Sequence, residues 1–249
     1  MARARPLIAG NWKMHGLETS LDEARALAAA MERSPPAARI ALCPPATLIR
    51  LMAELLAGSG VLVGAQDCAA EREGAFTGDL AAEMLVEAGA RLVILGHSER
   101  RGGHGETDEI VAAKVREALR AGLEPIVCVG ESEAEREAGR ALEVVARQAR
   151  GSLPKELSAH RFSLAYEPVW AIGSGRTPTT AQIEEVHLAL REDLKSIFGE
   201  ERADPPILYG GSVKAANAET ILHAREVGGA LVGGASLNAA EFIEIIRQA

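Results

Sequence analysis

The chain has 249 residues, 47% of them hydrophobic but only 3% aromatic, and 27 Lys and Arg against 35 Asp and Glu give it a net charge of −8. That sign argues against a nucleic-acid-binding surface, which needs a basic face, although one lysine and a few backbone N–H groups can still hold a single phosphate. Three widely spaced cysteines without a C-x-x-C (Cys43, Cys68 and Cys128) read as reduced, buried thiols, and the absence of a signal-like N-terminus or a run near ~20 apolar residues predicts a cytoplasmic protein with no membrane partner.

Along the chain, short apolar runs alternate with longer amphipathic ones. The short runs are Pro6–Ala9, Arg39–Cys43, Val61–Ala65, Leu92–Leu95, Ile126–Val129, Phe162–Ala165, Ile207–Tyr209 and Ala230–Val232. Each is nearly continuous in apolar residues, the pattern of a strand buried on both faces and hence of a parallel sheet. Between them lie helical stripes. Ile110, Val111, Val115, Ala118 and Leu119 form one, ended by Gly122. Ile183, Val186, Leu190, Leu194 and Ile197 form another, with Pro178 suited to its first turn. Phe242, Ile245 and Ile246 mark the last. Eight such strand–helix units fit one closed (β/α)8 barrel domain over residues 1–249. A doubly wound open sheet is the alternative, but the first strand ends in Gly10-Asn11-Trp12-Lys13, which is not a Gly-rich nucleotide turn.

A barrel places its active site at the C-terminal ends of its strands. Lys13 follows the first strand, where a charge needs a partner, water or an anionic ligand. Gly96-His97-Ser98-Glu99-Arg100-Arg101 follows the fourth. Ser98 and Glu99 suit a helix start, and a His there is held toward its neutral form. A capping cluster with an ion pair between Glu99 and an arginine is the alternative. Glu167 closes the sixth strand, and Pro168 stops the strand continuing. The segment after it is apolar at one end and carries Gly173 and Gly175 at the other, the composition of a lid; a solvent-facing loop is the alternative. Gly210-Gly211-Ser212 and Gly233-Gly234 follow the last two strands, where barrels frequently bind phosphate. No P-loop, no complete G-x-G-x-x-G and no His spacing suited to a metal occurs, so neither cofactor nor metal is expected. The acid-rich Glu131–Glu137 stretch reads as a solvated helix face.

Eight motifs occur in order over the whole chain: Gly10-Asn11-Trp12-Lys13, Gly64-Ala65-Gln66, Gly74-Ala75-Phe76-Thr77-Gly78, Gly96–Arg101, Cys128-Val129-Gly130-Glu131, Tyr166–Gly173, Tyr209-Gly210-Gly211-Ser212-Val213 and Val232–Leu237. As an ordered set they resemble the triosephosphate isomerase family. The resemblance implies a TIM barrel that interconverts dihydroxyacetone phosphate and D-glyceraldehyde 3-phosphate, a step of glycolysis and gluconeogenesis, through an enediolate. It implies Glu167 as the base, His97 as a neutral electrophile (the family's known device), and Lys13 and Asn11 as stabilisers of the enediolate. Phosphate would be held near Gly173, Ser212, Gly233 and Gly234, under a lid at 168–177. It also implies a homodimer with the Thr77 loop at the interface. Ser174, Arg176, Asp67 and His104 depart from the family's commonest residues, outside those that do the chemistry. Two other readings compete. A Schiff-base aldolase on the same fold would need a lysine inside the barrel, and a non-catalytic binding protein would be free to lose Glu167, His97 or Lys13.

Overall fold

The structure, a computed structural model, describes residues 5–172, 176–202 and 204–249. Eight strands, β1 (Leu7–Asn11), β2 (Arg39–Cys43), β3 (Val61–Ala65), β4 (Leu92–Leu95), β5 (Glu124–Val129), β6 (Ser163–Tyr166), β7 (Ile207–Tyr209) and β8 (Gly229–Val232), pair in parallel, each with the next in sequence. β8 returns to β1, with Leu7 opposite Gly229 and Gly10 opposite Val232, so the sheet closes into a barrel. The sequence reading ends β1 at Ala9, whereas the strand runs on to Asn11; β5 likewise starts two residues earlier than expected, at Glu124.

Among the described residues, α-helices follow the strands around the outside: α1 (Leu21–Arg33), α2 (Ile49–Leu55), α3 (Ala82–Glu87), α4 (Ser98–His104), α5 (Asp108–Ala121), α6 (Glu133–Glu137), α7 (Ala141–Ser152), α8 (Thr180–Phe198), α9 (Ala215–Leu222) and α10 (Ala239–Ile246). None is long and apolar enough to cross a membrane. α5 shows how local sequence sets the bounds. The Thr107 hydroxyl caps its start by accepting from the Ile110 N–H, and Gly122 ends it in the left-handed region at φ 88°. Its stripe buries Val111, Val115 and Ala118, but Ile110 turns outward because it sits in the first turn, beyond the face that meets the sheet. Pro178 does not open α8. The Thr179 hydroxyl caps that helix, accepting from the Gln182 N–H while Gln182 reaches back to the Thr179 N–H, so Pro178 precedes the cap.

Strand side chains alternate between two cores. Ile8, Ile40, Leu42, Val93, Leu95, Val127 and Leu164 point outward and pack under the helices. Leu7, Ala9, Ala41, Cys43, Leu92, Ile94, Ile126, Cys128, Ala165, Leu208 and Leu231 fill the barrel. All three cysteines are free thiols within these layers, as the sequence indicates. Among the described residues the barrel interior holds no aromatic side chain, and the outer layer is mostly aliphatic around Trp12, Phe162, Tyr166, Tyr209 and Phe242; full burial of each large aliphatic side chain contributes about 1.5–3 kcal/mol.

The inward-facing set also decides which residues stand at the barrel mouth. Period two carries Leu7 and Ala9 on to Asn11, Ser163 and Ala165 on to Glu167, Leu208 on to Gly210, and Leu231 on to Gly233. The first residue past the packed interior on four strands is therefore an amide, a carboxylate or a glycine.

Candidate active site

Glu167 sits at the mouth end of β6 and is 1% exposed. Its backbone continues the ladder, donating from N to the Val129 carbonyl at 2.8 Å. One carboxylate oxygen, Oε2, accepts from the Ser98 N–H at 2.9 Å. The other, Oε1, accepts from the Ser98 hydroxyl at 3.2 Å and lies 2.8 Å from His97 Nε2. Ser98 is a partner that the sequence reading treats only as a helix start. As the first residue of α4 it turns an otherwise orphaned N–H toward the carboxylate.

His97 is the N-cap of α4. Its Nδ1 accepts the Glu99 N–H at 3.2 Å. A nitrogen that accepts carries no proton, so the imidazole proton sits on Nε2 and is donated to Glu167. Burial opposes charge on both partners. It would lower His97, but the facing carboxylate outweighs it and lifts His97 above its ordinary value while Glu167 stays in place. It would raise Glu167, but His97, the Ser98 N–H and the Cys128 thiol together hold that carboxyl below its ordinary 4.5. These groups keep Glu167 anionic at neutral pH.

A depressed carboxyl in the folded state adds stability that is present above the unfolded value and lost as pH falls through the folded one. The wild-type chain is therefore expected to lose more stability than Glu167→Gln when the pH is taken down from about 4.5. Urea midpoints of both proteins between pH 6 and pH 3 measure this, and parallel curves would contradict it.

Lys13 adopts a left-handed backbone, φ 54°, unusual for a side chain of this size. Three contacts hold it. Its N–H donates to Asn11 Oδ1 at 3.0 Å, its carbonyl accepts from Gln66 Nε2 at 2.8 Å, and its ammonium pairs with Glu99 at 2.5 Å. The Gln66 amide also binds the Cys43 carbonyl at 2.9 Å, tying the ends of β1 and β2 together. The ion pair of Glu99 is thus with Lys13, and the neighbouring arginines are engaged elsewhere. Arg100 pairs with Asp67 and Glu106, Arg101 with Asp108. Lys13 and Lys214 both line the cavity at the barrel mouth, and of the two Lys13 stands nearer a strand end. Lys114 and Lys195 lie on helices, Lys155 on a 3-10 turn and Lys214 at the cap of α9. No described strand carries the interior lysine that a Schiff-base aldolase needs.

Asn11, Lys13, His97, Ile172, Gly210, Gly211, Ser212, Gly233 and Gly234 line one cavity of about 440 Å³ at this end of the barrel. Glu167 is not in its lining but touches it, 2.8 Å from His97 Nε2 and with its Cγ 2.9 Å from where a Cβ on Gly210 would stand. The two Gly-Gly turns are braced from outside. Ser236 donates its N–H and its hydroxyl to the Gly233 carbonyl, at 2.8 and 2.7 Å, and the Trp12 indole donates to the Ser236 carbonyl at 3.1 Å. With that carbonyl fixed, the N–H of the same planar peptide, on Gly234, points the opposite way. Asn217 holds the other turn by donating to the Ser212 carbonyl at 3.2 Å. A larger cavity, about 620 Å³, opens at the opposite end beside Arg5, Arg39 and Arg161. Its Arg39 is committed to both oxygens of Glu124, and Arg5 to backbone carbonyls. It contains no pair of groups suited to proton transfer, so size and chemistry disagree and chemistry decides.

Glu131 corrects the sequence reading. It is fully buried, and its Oε1 accepts from Tyr166, Trp170 and Arg136 at 3.1, 2.9 and 3.4 Å. Only the part of that stretch within α6 faces solvent, because Glu131 lies two residues past the end of β5 and immediately before the Ser132 cap. Trp170 lies in the 3-10 turn Val169–Ala171, and Arg176 bonds its carbonyl and Glu133. Gly173, Ser174 and Gly175, the hinge part of the expected lid and one expected phosphate contact, lie outside the described residues. Asp67 joins Lys114 and Arg100 away from the cavity, and His104 is exposed at the end of α4.

Comparison with known proteins agrees with this geometry. The triosephosphate isomerase family model matches residues 6–249. The triosephosphate isomerase of Caulobacter vibrioides is 58% identical over 243 residues, covering 98% of this chain and 96% of the relative. That of Afipia carboxidovorans is 54% identical, covering 98% and 97%. The crystal structure of triosephosphate isomerase from Bartonella henselae superposes with a TM-score of 0.91 at 46% identity, over 98% of each chain.

Proposed function

The chain belongs to the triosephosphate isomerase family and catalyses that family's reaction, the interconversion of dihydroxyacetone phosphate and D-glyceraldehyde 3-phosphate; we propose that Glu167 is the base that carries the proton between the two carbons. One observation carries the assignment: a buried, anionic carboxylate at a strand end, in hydrogen-bond contact with His97, which lines a cavity together with Lys13. To act, Glu167 leaves Ser98 and turns toward substrate. His97 then loses the carboxylate that raises it. Burial, the largest influence, then presses it toward neutral, with Glu99 and Lys13 acting in opposite directions, and its Nε2–H is left to donate to the substrate oxygens. Lys13 and Asn11 stabilise the negative charge that develops there. The phosphate is held by backbone N–H groups at Gly173, Ser212, Gly233 and Gly234, under a lid at residues 168–177 that keeps water from the enediolate. Residues 1–249 work as one barrel domain, without a cofactor or metal.

In deuterium oxide the protein is expected to place solvent deuterium on the carbon next to the carbonyl of dihydroxyacetone phosphate. A chain that binds this ester but exchanges nothing into it would be a binding protein instead.

The working assembly is a homodimer with Thr77 at the interface. Support comes from apolar side chains left in solvent on the loops after β1 and β3 and on α3. Met14 is 94% exposed and Phe76 44%, with Leu17, Leu80 and Met84 beside them in sequence. Phe76→Asp is expected to give a monomer at micromolar concentration where the wild type sediments as a dimer. A wild-type monomer would end this reading. The enzyme works in the cytoplasm, which its free, buried thiols favour.

A further inference from the structure

We infer that Gln148, on α7 and outside the cavity, is a positioning residue for Glu167, acting through the peptide groups of Gly130. The inference rests on Glu167 being the base.

The main chain of the base rests on the end of β5. Glu167 N donates to the Val129 carbonyl at 2.8 Å, and Val169 N donates to the Glu131 carbonyl at 3.1 Å. Between those two acceptors stands Gly130. It allows no side chain, since a Cβ there would lie 1.7 Å from the Glu167 carbonyl oxygen. In a parallel ladder successive residues bond to opposite sides, so Gly130 turns its own N–H and C=O away from β6. On that side β4 has ended, the last register pair being Leu95 with Val127. The Gln148 carboxamide takes the place of the missing strand. Its Oε1 accepts the Gly130 N–H at 2.7 Å and its Nε2 donates to the Gly130 carbonyl at 3.1 Å. Backbone N–H can only donate and C=O only accept, so both ends of the amide are assigned without ambiguity. Gln148 is itself buried. One side chain thus fixes the peptide planes on both sides of Gly130; the first of them carries the Val129 carbonyl on which Glu167 N hangs, and the second leads directly into Glu131, whose carbonyl holds Val169 N. Displacing a reacting group by about 1 Å costs as much as 10²-fold, so a modest tilt of this platform is read as rate.

The test uses three proteins in the isomerase assay. Gln148→Met removes both bonds at similar length. It is expected to lower kcat about tenfold, within the range such displacement allows, with KM inside twofold, because the phosphate-binding turns lie on other strands. Gln148→Glu keeps the acceptor for the Gly130 N–H but sets a carboxylate against the Gly130 carbonyl. A protonated carboxyl has the amide's donor and acceptor pattern, so its kcat relative to wild type is expected to recover as pH falls. In a Glu167→Gln background the Gln148→Met effect is expected to vanish, since there is no base left to position. Unchanged kcat in Gln148→Met, a loss confined to KM, an equal loss in the Glu167→Gln background, or no recovery of Gln148→Glu at low pH would each overturn the inference. Glu167→Gln alone judges the base: if that variant is fully active, the assignment of Glu167 fails, whatever Gln148 does.

Discussion

Glu167→Gln is expected to lower kcat by about 10²–10⁴-fold, the share that a positioned general base supplies, with little change in KM. Glutamine has the same shape and can still accept from the Ser98 N–H, which binds Oε2 at 2.9 Å, while an NH2 in the place of Oε1 donates to the Ser98 hydroxyl and forfeits the bond from His97. The substitution therefore keeps the size and shape of the side chain while removing its basicity. It also removes the charge that raises His97, so the variant separates proton transfer from packing. A coupled assay run in both directions measures it. The loss should be the same in each direction, because a base that shuttles one proton serves both. Equal activity of the two proteins would remove the central assignment.

The second large effect belongs to Lys13. Lys13→Ala is expected to lower kcat/KM by about 10²–10³-fold, the cost of removing one preorganised group from a developing oxyanion, with a rise in KM as well as a fall in kcat. Both terms move because the ammonium lies in the cavity shared with the Gly233-Gly234 turn; its Cε is 3.6 Å from where a Cβ on Gly233 would stand. Alanine at a backbone of φ 54° keeps the same conformational cost, so the change reports the charge and not a relaxed turn. Lys13→Arg should recover only part of the loss. It restores the charge, but its longer planar head cannot occupy the place of a compact ammonium that bonds Glu99 at 2.5 Å. If Lys13→Ala raised KM alone, its part in the reaction would be binding only.

The strands and most site residues can be read from the sequence because each is encoded locally. Continuous apolar runs mark strands buried on both faces, and the same alternation, carried two residues further, brings Asn11, Glu167, Gly210 and Gly233 to the mouth. What the sequence hides are contacts between elements distant along the chain. Glu131 looks solvated beside Glu133, Glu135 and Glu137, and Tyr166 and Trp170, 35 and 39 residues away, join Arg136 in making its burial tolerable. Gln66 is visible as part of a motif, but its grip on the Lys13 carbonyl spans 53 residues. Ser98 is legible as a helix start. That its hydroxyl and N–H both reach the base depends on how β4 and β6 are spaced in the closed barrel. Ile110 faces solvent despite belonging to an apolar stripe, and Pro178 stands ahead of the helix it was expected to open, since a stripe or a proline marks a neighbourhood more sharply than a boundary.

The proposed mechanism turns the hold of Ser98 on the resting carboxylate into one side of an equilibrium between two arrangements of one side chain. Substrate reacts only with the arrangement in which Glu167 has left, so its apparent affinity is the intrinsic one reduced by the fraction of molecules already released. Each hydrogen bond that must break contributes about 1 kcal/mol to that gap, roughly a fivefold shift in occupancy. In that mechanism the free enzyme keeps Glu167 capped by two donors of Ser98 and one of His97, and part of the binding energy of each triose phosphate goes into uncapping it.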